Sequence, residues 1–239
     1  SAYNACHANI PDLIEAAKRG ILLAGGIPMP FPVISIQESF SNPTSMYLRN
    51  LMAMDVEEMI RAQPMDAVIL LGGCDKTVPA LLMGAISANV PALMLVSGPM
   101  MAGSFKGERL GACTDCRRFW ARYRAGELSE EDIDGANKEL APTIGTCGVM
   151  GTASTMALMT EAMGMMLPGG AAIPAVMAER RRLAEDTGKR AVAMAAEKLT
   201  PDKIVTPAAV KNALRVMLAA GGSTNALVHM TAIAGRAGI

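Results

Sequence analysis

The chain has 239 residues, of which 51% are hydrophobic and 18% charged, so it can bury a large core and is not globally disordered. Its formal net charge is zero and only 3% of its residues are aromatic, which argues against a nucleic-acid-binding surface. No apolar stretch is long enough to span a bilayer, and nothing at the N-terminus resembles a signal peptide. The odd count of five cysteines is typical of a reducing compartment, so we predict a cytoplasmic protein with neither nucleic-acid nor membrane partners.

Three short apolar runs predict buried parallel strands, at residues 33–36, 67–71 and 92–96. Each run is almost continuously apolar, as expected for parallel strands that are covered on both faces. Helical patterns lie between them, one starting at Asn42 and a shorter one in "VPALLMGAISAN". This alternation predicts an α/β fold with a doubly wound, mainly parallel sheet flanked by helices.

The second half of the chain is predicted to be helical. The segment "TASTMALMTEAMGMML" has Thr and Ser near its start and is followed by "PGG", which stops a helix. Two more helices are predicted over 176–198 and 207–219, and another after Gly221 and Gly222. No repeat or low-complexity linker divides the chain, so we expect residues 1–239 to form one α/β domain.

Three cysteines lie beside glycine or polar residues rather than inside apolar runs: Cys6 in "YNACHAN", Cys74 in "GGCDK" and Cys147 in "GTCGVMG". Glycine lets the backbone approach a bulky group closely. Three thiolates in a chain with two histidines suit an iron–sulfur cluster better than a His-rich metal site. Three ligands would leave one iron position open, as a Lewis acid requires. The spacings match no short ligand motif, so structural core thiols are the alternative.

The remaining cysteines, Cys113 and Cys116, form the motif "CTDC". A CxxC pair can indicate redox activity or zinc, but no second CxxC or neighbouring histidine completes a zinc site. The surrounding sequence predicts the start of a surface helix, so we interpret the pair as incidental. His7 follows Cys6 directly, and we interpret it as orienting that loop rather than binding metal.

Oxygen ligands are predicted at two of the strand ends. Glu38 follows the first apolar run, and Asp75 and Lys76 follow the second. Ligands bind at the carboxyl ends of strands in such sheets, and two carboxylates there can hold Mg²⁺. A free lysine amine would repel the cation, whereas a carbamylated Lys76 would be an anionic oxygen ligand. The alternative is a surface Asp75–Lys76 ion pair in which Asp75 also caps the next helix.

Three long segments resemble the dihydroxy-acid and 6-phosphogluconate dehydratase family: "GGCDKTVPALLMGA", "GTCGVMGTASTMALMTEAMGMMLPG" and "GGSTNALVHMTAIA". The resemblance covers essentially the whole chain. "SAYNACHANIPDL" and "ESFSNPTSMYLRNLMAMDVEEMIRAQPMDAV" are most similar to the sugar-acid branch, which acts on aldonic acids such as arabinonate or xylonate. The resemblance implies a [2Fe–2S] cluster on Cys6, Cys74 and Cys147. It also implies Mg²⁺ on Glu38, Asp75 and a carbamylated Lys76.

The resemblance further implies a hydro-lyase that converts an aldonic acid to a 2-keto-3-deoxy acid, with the cluster as Lewis acid and Mg²⁺ stabilising the enolate. The family's catalytic base, a serine, lies in a C-terminal β-rich domain outside this chain, which therefore looks incomplete at both ends. Family members form homodimers or homotetramers. A dihydroxy-acid dehydratase of branched-chain amino-acid biosynthesis is the alternative enzyme. The residues taken alone are also compatible with a non-catalytic electron carrier or with a metal-free flavodoxin-like domain.

Overall fold

Two parallel strands lie at the centre of the computed structural model, which describes residues 4–38 and 41–239. Strand β1 (Val68–Gly72) pairs with β2 (Ala92–Val96) along its whole length. The helix α3 (Thr77–Ala88) connects them, because parallel neighbours require a crossover. The two strands and this helix match the predicted strand–helix–strand unit in order and in position.

Nine further helices are present among the described residues. They are α1 (Ile10–Leu23), α2 (Arg49–Ala62), α4 (Ala112–Arg124), α5 (Glu130–Glu139), α6 (Thr152–Ala162), α7 (Ala178–Glu197), α8 (Pro201–Ile204), α9 (Pro207–Ala219) and α10 (Asn225–Arg236). Short 3-10 turns at Ala5–His7 and Ser45–Leu48 precede α1 and α2. Within the described part of the chain, no helix combines the length and apolarity needed to cross a bilayer.

The two faces of the sheet are covered by different helices, because successive side chains of a strand point to opposite sides. One face joins the largest core cluster, to which α2, α3, α6, α9 and α10 contribute, through Val68, Leu70, Ala92, Met94 and Val96. The other face packs against α1 and α7 through Ile69, Leu71, Leu93 and Leu95. The predicted α/β class, with helices flanking a parallel sheet, is confirmed.

A smaller layer lies outside this arrangement. The antiparallel strands β3 (Gly103–Phe105) and β4 (Glu108–Leu110) form a hairpin that packs with α4 and α5. Its core consists of Leu110, Phe119, Ile133 and Ala136. The sequence patterns did not predict the hairpin, α1 or α5.

The predicted strand at 33–36 is wrong. This segment runs without regular structure, and Ile34, at its centre, is 40% exposed. The backbone N–H of Ile34 donates to a side chain, Asp55 Oδ2, at 2.7 Å instead of to a neighbouring strand. Pro28, Pro30 and Pro32 precede it, and proline has no N–H to offer to a strand ladder. Glu38 therefore reaches the site from an irregular segment and not from a strand end.

The helices predicted in the second half of the chain are confirmed, but one of them, α6, ends earlier than its apolar pattern predicts. The helix that begins at Thr152 ends at Ala162, before the end of the apolar pattern. Gly164 has a φ of 88°, a conformation that interrupts a right-handed helix and that glycine adopts easily. The helices α7, α9 and α10 lie where the capping and proline signals place them.

Two glycines let α1 and α7 pack with their backbones in contact. A Cβ atom added at Gly20 would overlap the carbonyl oxygen of Glu185, and one added at Gly188 would overlap that of Ala17. These clashes involve backbone atoms, which cannot move aside as a flexible side chain can. The covering of one sheet face by α1 and α7 therefore depends on small residues at both positions.

We expect Gly20→Ala to lower the free energy of unfolding by about 1–3 kcal/mol, because it forces the two helices apart. Gly235→Ala is the matched control, since nothing lies within 4 Å of a Cβ at that helical position. The control should raise stability by about 0.5–1 kcal/mol through its effect on helix propensity. Urea unfolding followed by circular dichroism measures both. Equal midpoints for the two variants would disprove close packing at Gly20.

Candidate functional site

The turn between β1 and α3 lies at the centre of the candidate site. β1 ends at Gly72, and the carbonyl of Cys74 accepts hydrogen bonds from the N–H groups of Thr77 and Val78 at 3.1 and 3.2 Å. The residue that caps α3 is Lys76, and its side chain makes no capping hydrogen bond. The alternative in which Asp75 caps this helix is therefore wrong, and its carboxylate is available for other contacts.

Gly73 is required by the close approach of other protein segments. A Cβ atom there would overlap the hydroxyl of Ser97 and lie 2.9 Å from the carbonyl oxygen of Cys6. Likewise, a Cβ at Gly72 would press on Leu81 and Thr77. Gly73 thus lets the loop of Cys6 and the end of β2 pack against the turn, and Gly72 lets α3 pack closely on the end of β1.

His7 fastens the loop of Cys6 to this turn. Its Nε2 atom accepts hydrogen bonds from the backbone N–H groups of Gly73 at 2.9 Å and Cys74 at 3.0 Å. Because Nε2 is an acceptor, the ring is neutral and carries its proton on Nδ1. That Nδ1 atom lies 3.4 Å from the hydroxyl of Ser35. The fully buried His7 orients its loop, as the sequence predicted.

Two of the three predicted cluster ligands are in direct contact. A hydrogen bond with the Cys74 thiol raises the pKa of Cys6, and burial and the charges of Cys74 and Cys147 add to the rise. The same hydrogen bond lowers the pKa of Cys74. The two thiols therefore lie within hydrogen-bonding reach of each other.

The third cysteine, Cys147, lies on a segment tied to the same loops. The N–H of Gly145 donates to the carbonyl of Ala5 at 3.3 Å. Thr146 exchanges backbone hydrogen bonds with Gly98 and Met100 beyond the end of β2. The structure therefore brings the loops of all three cysteines together, with Cys147 on the exposed side. Among the residues described, no three His, Cys, Asp or Glu side chains are arranged as a preformed metal site, and ligation stays a prediction.

The three predicted magnesium ligands meet at Lys76. Its Nζ atom lies 2.6 Å from Oδ2 of Asp75 and 3.1 Å from Oε2 of Glu38. The Lys76 side chain is only 4% exposed, so the predicted surface location of an Asp75–Lys76 ion pair is wrong. Asp75 also faces the cluster ligands, because the Cys74 thiol donates to its Oδ1 at 3.5 Å.

Glu38 is held as an anion by donors at the start of α2. Thr44 Oγ1 donates to its Oε1 at 2.7 Å, and the N–H and hydroxyl of Ser45 both donate to its Oε2. Burial raises the pKa of Glu38, but the hydrogen bonds from Ser45, Thr44 and Lys76 outweigh it and lower the pKa to about 2. The carboxylate is thus ionised throughout the physiological range.

Lys76 is a cation between two acids in this arrangement. Burial lowers the pKa of Lys76, but the hydrogen bonds and charges of Asp75 and Glu38 outweigh burial and raise it. One ammonium between two carboxylates leaves a net charge of about −1. The net negative charge attracts a cation, but the ammonium repels one, so loss of the ammonium charge would strengthen cation binding.

Sequence reasoning gave no role to a second buried histidine, His229, on α10. Its Nδ1 atom lies 3.0 Å from Nη1 of Arg49, the first residue of α2. Burial and the charges of Arg49 and Lys76 lower the pKa of His229 to about 4, so the ring is neutral. The conspicuous segment "GGSTNALVHMTAIA" contains this residue, but its apolar neighbours made it indistinguishable from a core histidine.

A cavity of about 350 Å³ opens beside Cys147. Its walls are mostly apolar, with Met100, Leu158 and Ala171 among them, and Arg109 of β4 and Ser154 of α6 also line it. Sequence reasoning missed Arg109, because an arginine in a short hairpin strand has no distinguishing pattern. The cavity gives a small molecule access to the exposed side of the three-cysteine group.

The "CTDC" segment lies at the start of α4, as predicted. Cys116 is half-buried on that helix, and the side chain of Cys113 lies outside the described residues.

Comparison with known proteins identifies several similar enzymes. The chain is 48% identical to the L-arabinonate dehydratase of Rhizobium leguminosarum bv. trifolii over 98% of its length. It is 44% identical to the D-xylonate dehydratase of Caulobacter vibrioides over 95% of its length. It is 39% identical to the dihydroxy-acid dehydratase of Thermodesulfovibrio yellowstonii over 98% of its length. It covers 40%, 38% and 43% of these proteins, so it spans about two fifths of their length.

A family model describes the whole chain. The model for the N-terminal part of the dihydroxy-acid/6-phosphogluconate dehydratases matches residues 1–239. The family resemblance carried by the "GGCDK", "GTCGVMG" and "GGSTNALVHM" segments is therefore confirmed. The chain belongs to the dihydroxy-acid/6-phosphogluconate dehydratase family.

Proposed function

We propose that the full-length protein is a hydro-lyase that converts an aldonic acid to a 2-keto-3-deoxy acid. The observation that carries this proposal is the contact between two chemically different groups of side chains. Cys6 and Cys74 offer soft sulfur, while Asp75 and Glu38 form a polar group beside them around the buried Lys76. Removal of water from a dihydroxy acid needs help both at the leaving hydroxyl and at the developing enolate.

The three cysteines are the group that would hold an iron–sulfur cluster. Their loops converge, and thiolates are the ligands that such clusters use. A [2Fe–2S] cluster held by Cys6, Cys74 and Cys147 would supply Lewis-acid chemistry for the leaving C3 hydroxyl. The protein's contribution is positional, because His7 fixes the Cys6 loop against Cys74 through backbone hydrogen bonds.

Glu38, Asp75 and Lys76 are the group that would hold magnesium. Hard oxygen donors suit Mg²⁺, and Ser45 and Thr44 keep Glu38 ionised. Carbamylation would convert Lys76 from a repelling cation to an anionic oxygen ligand. Mg²⁺ held by these residues would supply positive charge that stabilises the developing enolate.

The link between the two groups is covalent and short. Cys74 and Asp75 are consecutive, and both lie in the turn that opens α3. A substrate that touches both groups is therefore held at a fixed separation, which is the geometric contribution that catalysis requires. The cavity beside Cys147, with Arg109 and Ser154 in its walls, leaves room for the remainder of a sugar acid.

An aldonic acid is favoured over a branched-chain dihydroxy acid as substrate. The chain is 48% identical to an L-arabinonate dehydratase and 44% identical to a D-xylonate dehydratase, but 39% identical to a dihydroxy-acid dehydratase. Substrate assays of the full-length protein with arabinonate, xylonate and 2,3-dihydroxyisovalerate distinguish these possibilities. Turnover of the branched-chain acid alone would refute the proposed substrate class.

Cys74→Ser and Asp75→Asn should distinguish the role of the cysteine group from that of the carboxylate group. We expect Cys74→Ser to abolish the visible cluster absorbance and the activity together. Asp75→Asn should keep the absorbance and lower kcat by roughly a hundredfold or more, because it removes a metal ligand that stabilises charge. Cys116→Ser, a change of another thiol on α4, is the control and should retain both properties. Loss of colour in Asp75→Asn would refute the division into two groups.

Lys76→Arg tests carbamylation, because a guanidinium group keeps the positive charge and cannot be carbamylated. The variant can still pair with Asp75 and Glu38, so we expect it to fold and to retain the cluster absorbance. Magnesium binding measured by titration calorimetry, and turnover measured in parallel, should both be lost. A Lys76→Arg variant with normal turnover would contradict an anionic ligand at this position.

Chelation distinguishes an enzyme from an electron carrier. We expect EDTA to abolish dehydration without bleaching the cluster, and added Mg²⁺ to restore the activity. The reason is that the carboxylate group binds a hard cation which the thiolates do not hold. A protein whose only activity is metal-independent electron transfer would support the carrier instead.

A further inference from the structure

The pair formed by Arg49 and His229 has a defined protonation state. The Nη1 atom of Arg49 lies 3.0 Å from Nδ1 of His229. Arginine can only donate hydrogen bonds, so Nδ1 must be the acceptor. The proton of the neutral imidazole therefore lies on Nε2. Arg49 thus fixes the tautomer of His229 and leaves an N–H donor at the far side of the ring.

That donor has no acceptor in the part of the chain that the structure describes. His229 is 0% exposed, and its Nε2 atom has no hydrogen-bond partner. The Nε atom of Arg49 is buried without a partner as well. Buried donors without acceptors are rare in folded proteins, because each one costs free energy that a partner would recover. Two of them on contacting side chains point to an acceptor that is added to the site.

The charge around the pair indicates that the missing acceptor is an anion. No carboxylate among the described residues forms an ion pair with Arg49, whereas Arg236 on the same helix as His229 pairs with Glu57 at 3.0 Å. Burial and the charge of Arg236 lower the pKa of Arg49, so the local surroundings disfavour a second cation. An anion beside Arg49 and His229 would relieve both the unpaired charge and the unpaired donors.

The pair lies on the side of the site where Lys76 stands. Helix α10 packs on α3, which Lys76 caps, and the charges of Lys76 and Asp75 both act on His229. The oxygens of Asp75 already accept from Lys76 and Cys74. Lys76 as an ammonium offers only donors. A carbamate on its nitrogen offers two acceptor oxygens, one for a metal and one for a hydrogen bond.

We propose that His229, held in one tautomer by Arg49, donates its Nε2–H to a carbamate on Lys76 and thereby selects the carbamylated form. This inference rests on the proposed magnesium group and adds the residues that stabilise it. His229 and Arg49 are positioning residues in this role. They act on the ligand and do not touch the substrate.

The modification needs only carbon dioxide as co-reactant. The Lys76 ammonium first releases one proton to solvent, and the nitrogen lone pair then attacks the carbon of CO₂. A C–N bond forms, one C=O π pair moves to oxygen, and the nitrogen loses a second proton. The ammonium and CO₂ thus give a carbamate anion and two protons, with no change in oxidation state. The carbamate's negative charge is then stabilised by the neutral N–H donor of His229 and by the positive charge of Arg49.

The experiment measures the carbamate directly in the full-length protein with Mg²⁺ present. Protein equilibrated with ¹³C-bicarbonate is examined by ¹³C NMR, and Lys76→Met identifies the signal of this lysine. His229→Leu removes the donor, whereas His229→Gln can keep an N–H near the Nε2 position. Arg49→Met removes the donor to Nδ1 of His229, so the protein no longer fixes which ring nitrogen carries the proton. Arg236→Met is the control, since it removes another α10–α2 contact, the one with Glu57 and Asn50.

We expect His229→Leu to raise the bicarbonate concentration for half-maximal carbamate signal roughly ten- to a hundredfold, which is the effect of losing a hydrogen bond to a charged group. Arg49→Met should show a shift in the same direction, His229→Gln should recover part of the loss, and Arg236→Met should match the unchanged protein. Cluster absorbance, which a general folding defect would lower, should stay constant in all of them.

Three results would overturn the inference, and they differ in what else they affect. A carbamate signal that Lys76→Met abolishes but His229→Leu leaves unchanged would refute the role of His229 alone. Absence of any carbamate signal in the unchanged protein would refute both this inference and the proposed anionic magnesium ligand. An equal loss in Arg236→Met and His229→Leu would reduce the pair to a structural contact between α2 and α10.

Discussion

The two hydrogen bonds that His7 Nε2 accepts from Gly73 and Cys74 are the interaction on which the site depends. They bind the first cysteine loop to the end of β1 and leave neither buried N–H group without an acceptor. They also require a neutral ring, because a protonated imidazole could not accept. The Cys6 and Cys74 thiols meet only because this contact sets the two loops side by side. Gly73 permits it by having no side chain between them.

The group formed by Lys76, Asp75 and Glu38 is difficult to explain as a device for stability. Moving the Lys76 ammonium and most of the Asp75 carboxylate out of water costs free energy that their attraction only partly offsets, and well-packed apolar residues of similar size often give a more stable protein. The ammonium satisfies the two carboxylates in the present arrangement, but it leaves a net negative charge. Such a group is better explained by a ligand that the charge attracts. A divalent cation bound through oxygen is the ligand that fits the donor set.

Apolar runs and capping signals predicted β1, β2, α3, α7, α9 and α10, because burial on both faces and helix ends leave local patterns in a sequence. The segment 33–36 failed because an apolar run reports burial and not hydrogen-bond partners, and its backbone binds the Asp55 side chain. The possible role of Glu38, Asp75 and Lys76 as metal ligands could be predicted from their residue types and from the family resemblance. The contact of Arg49 with His229 could not, since the two residues are 180 positions apart and His229 lies among apolar neighbours.

The segment that leads into α2 explains why negative charge is stabilised on the side of the site formed by Glu38, Asp75 and Lys76. Thr44 and Ser45 direct their donors at Glu38, and Arg49, one helical turn later, directs its donor at His229. Each of these groups gives a hydrogen bond toward the surroundings of Lys76. A segment that presents only donors stabilises negative charge on whatever lies opposite. The same segment keeps Glu38 ionised, and in the role proposed above it would also favour a carbamate on Lys76 and so strengthen the binding of a cation.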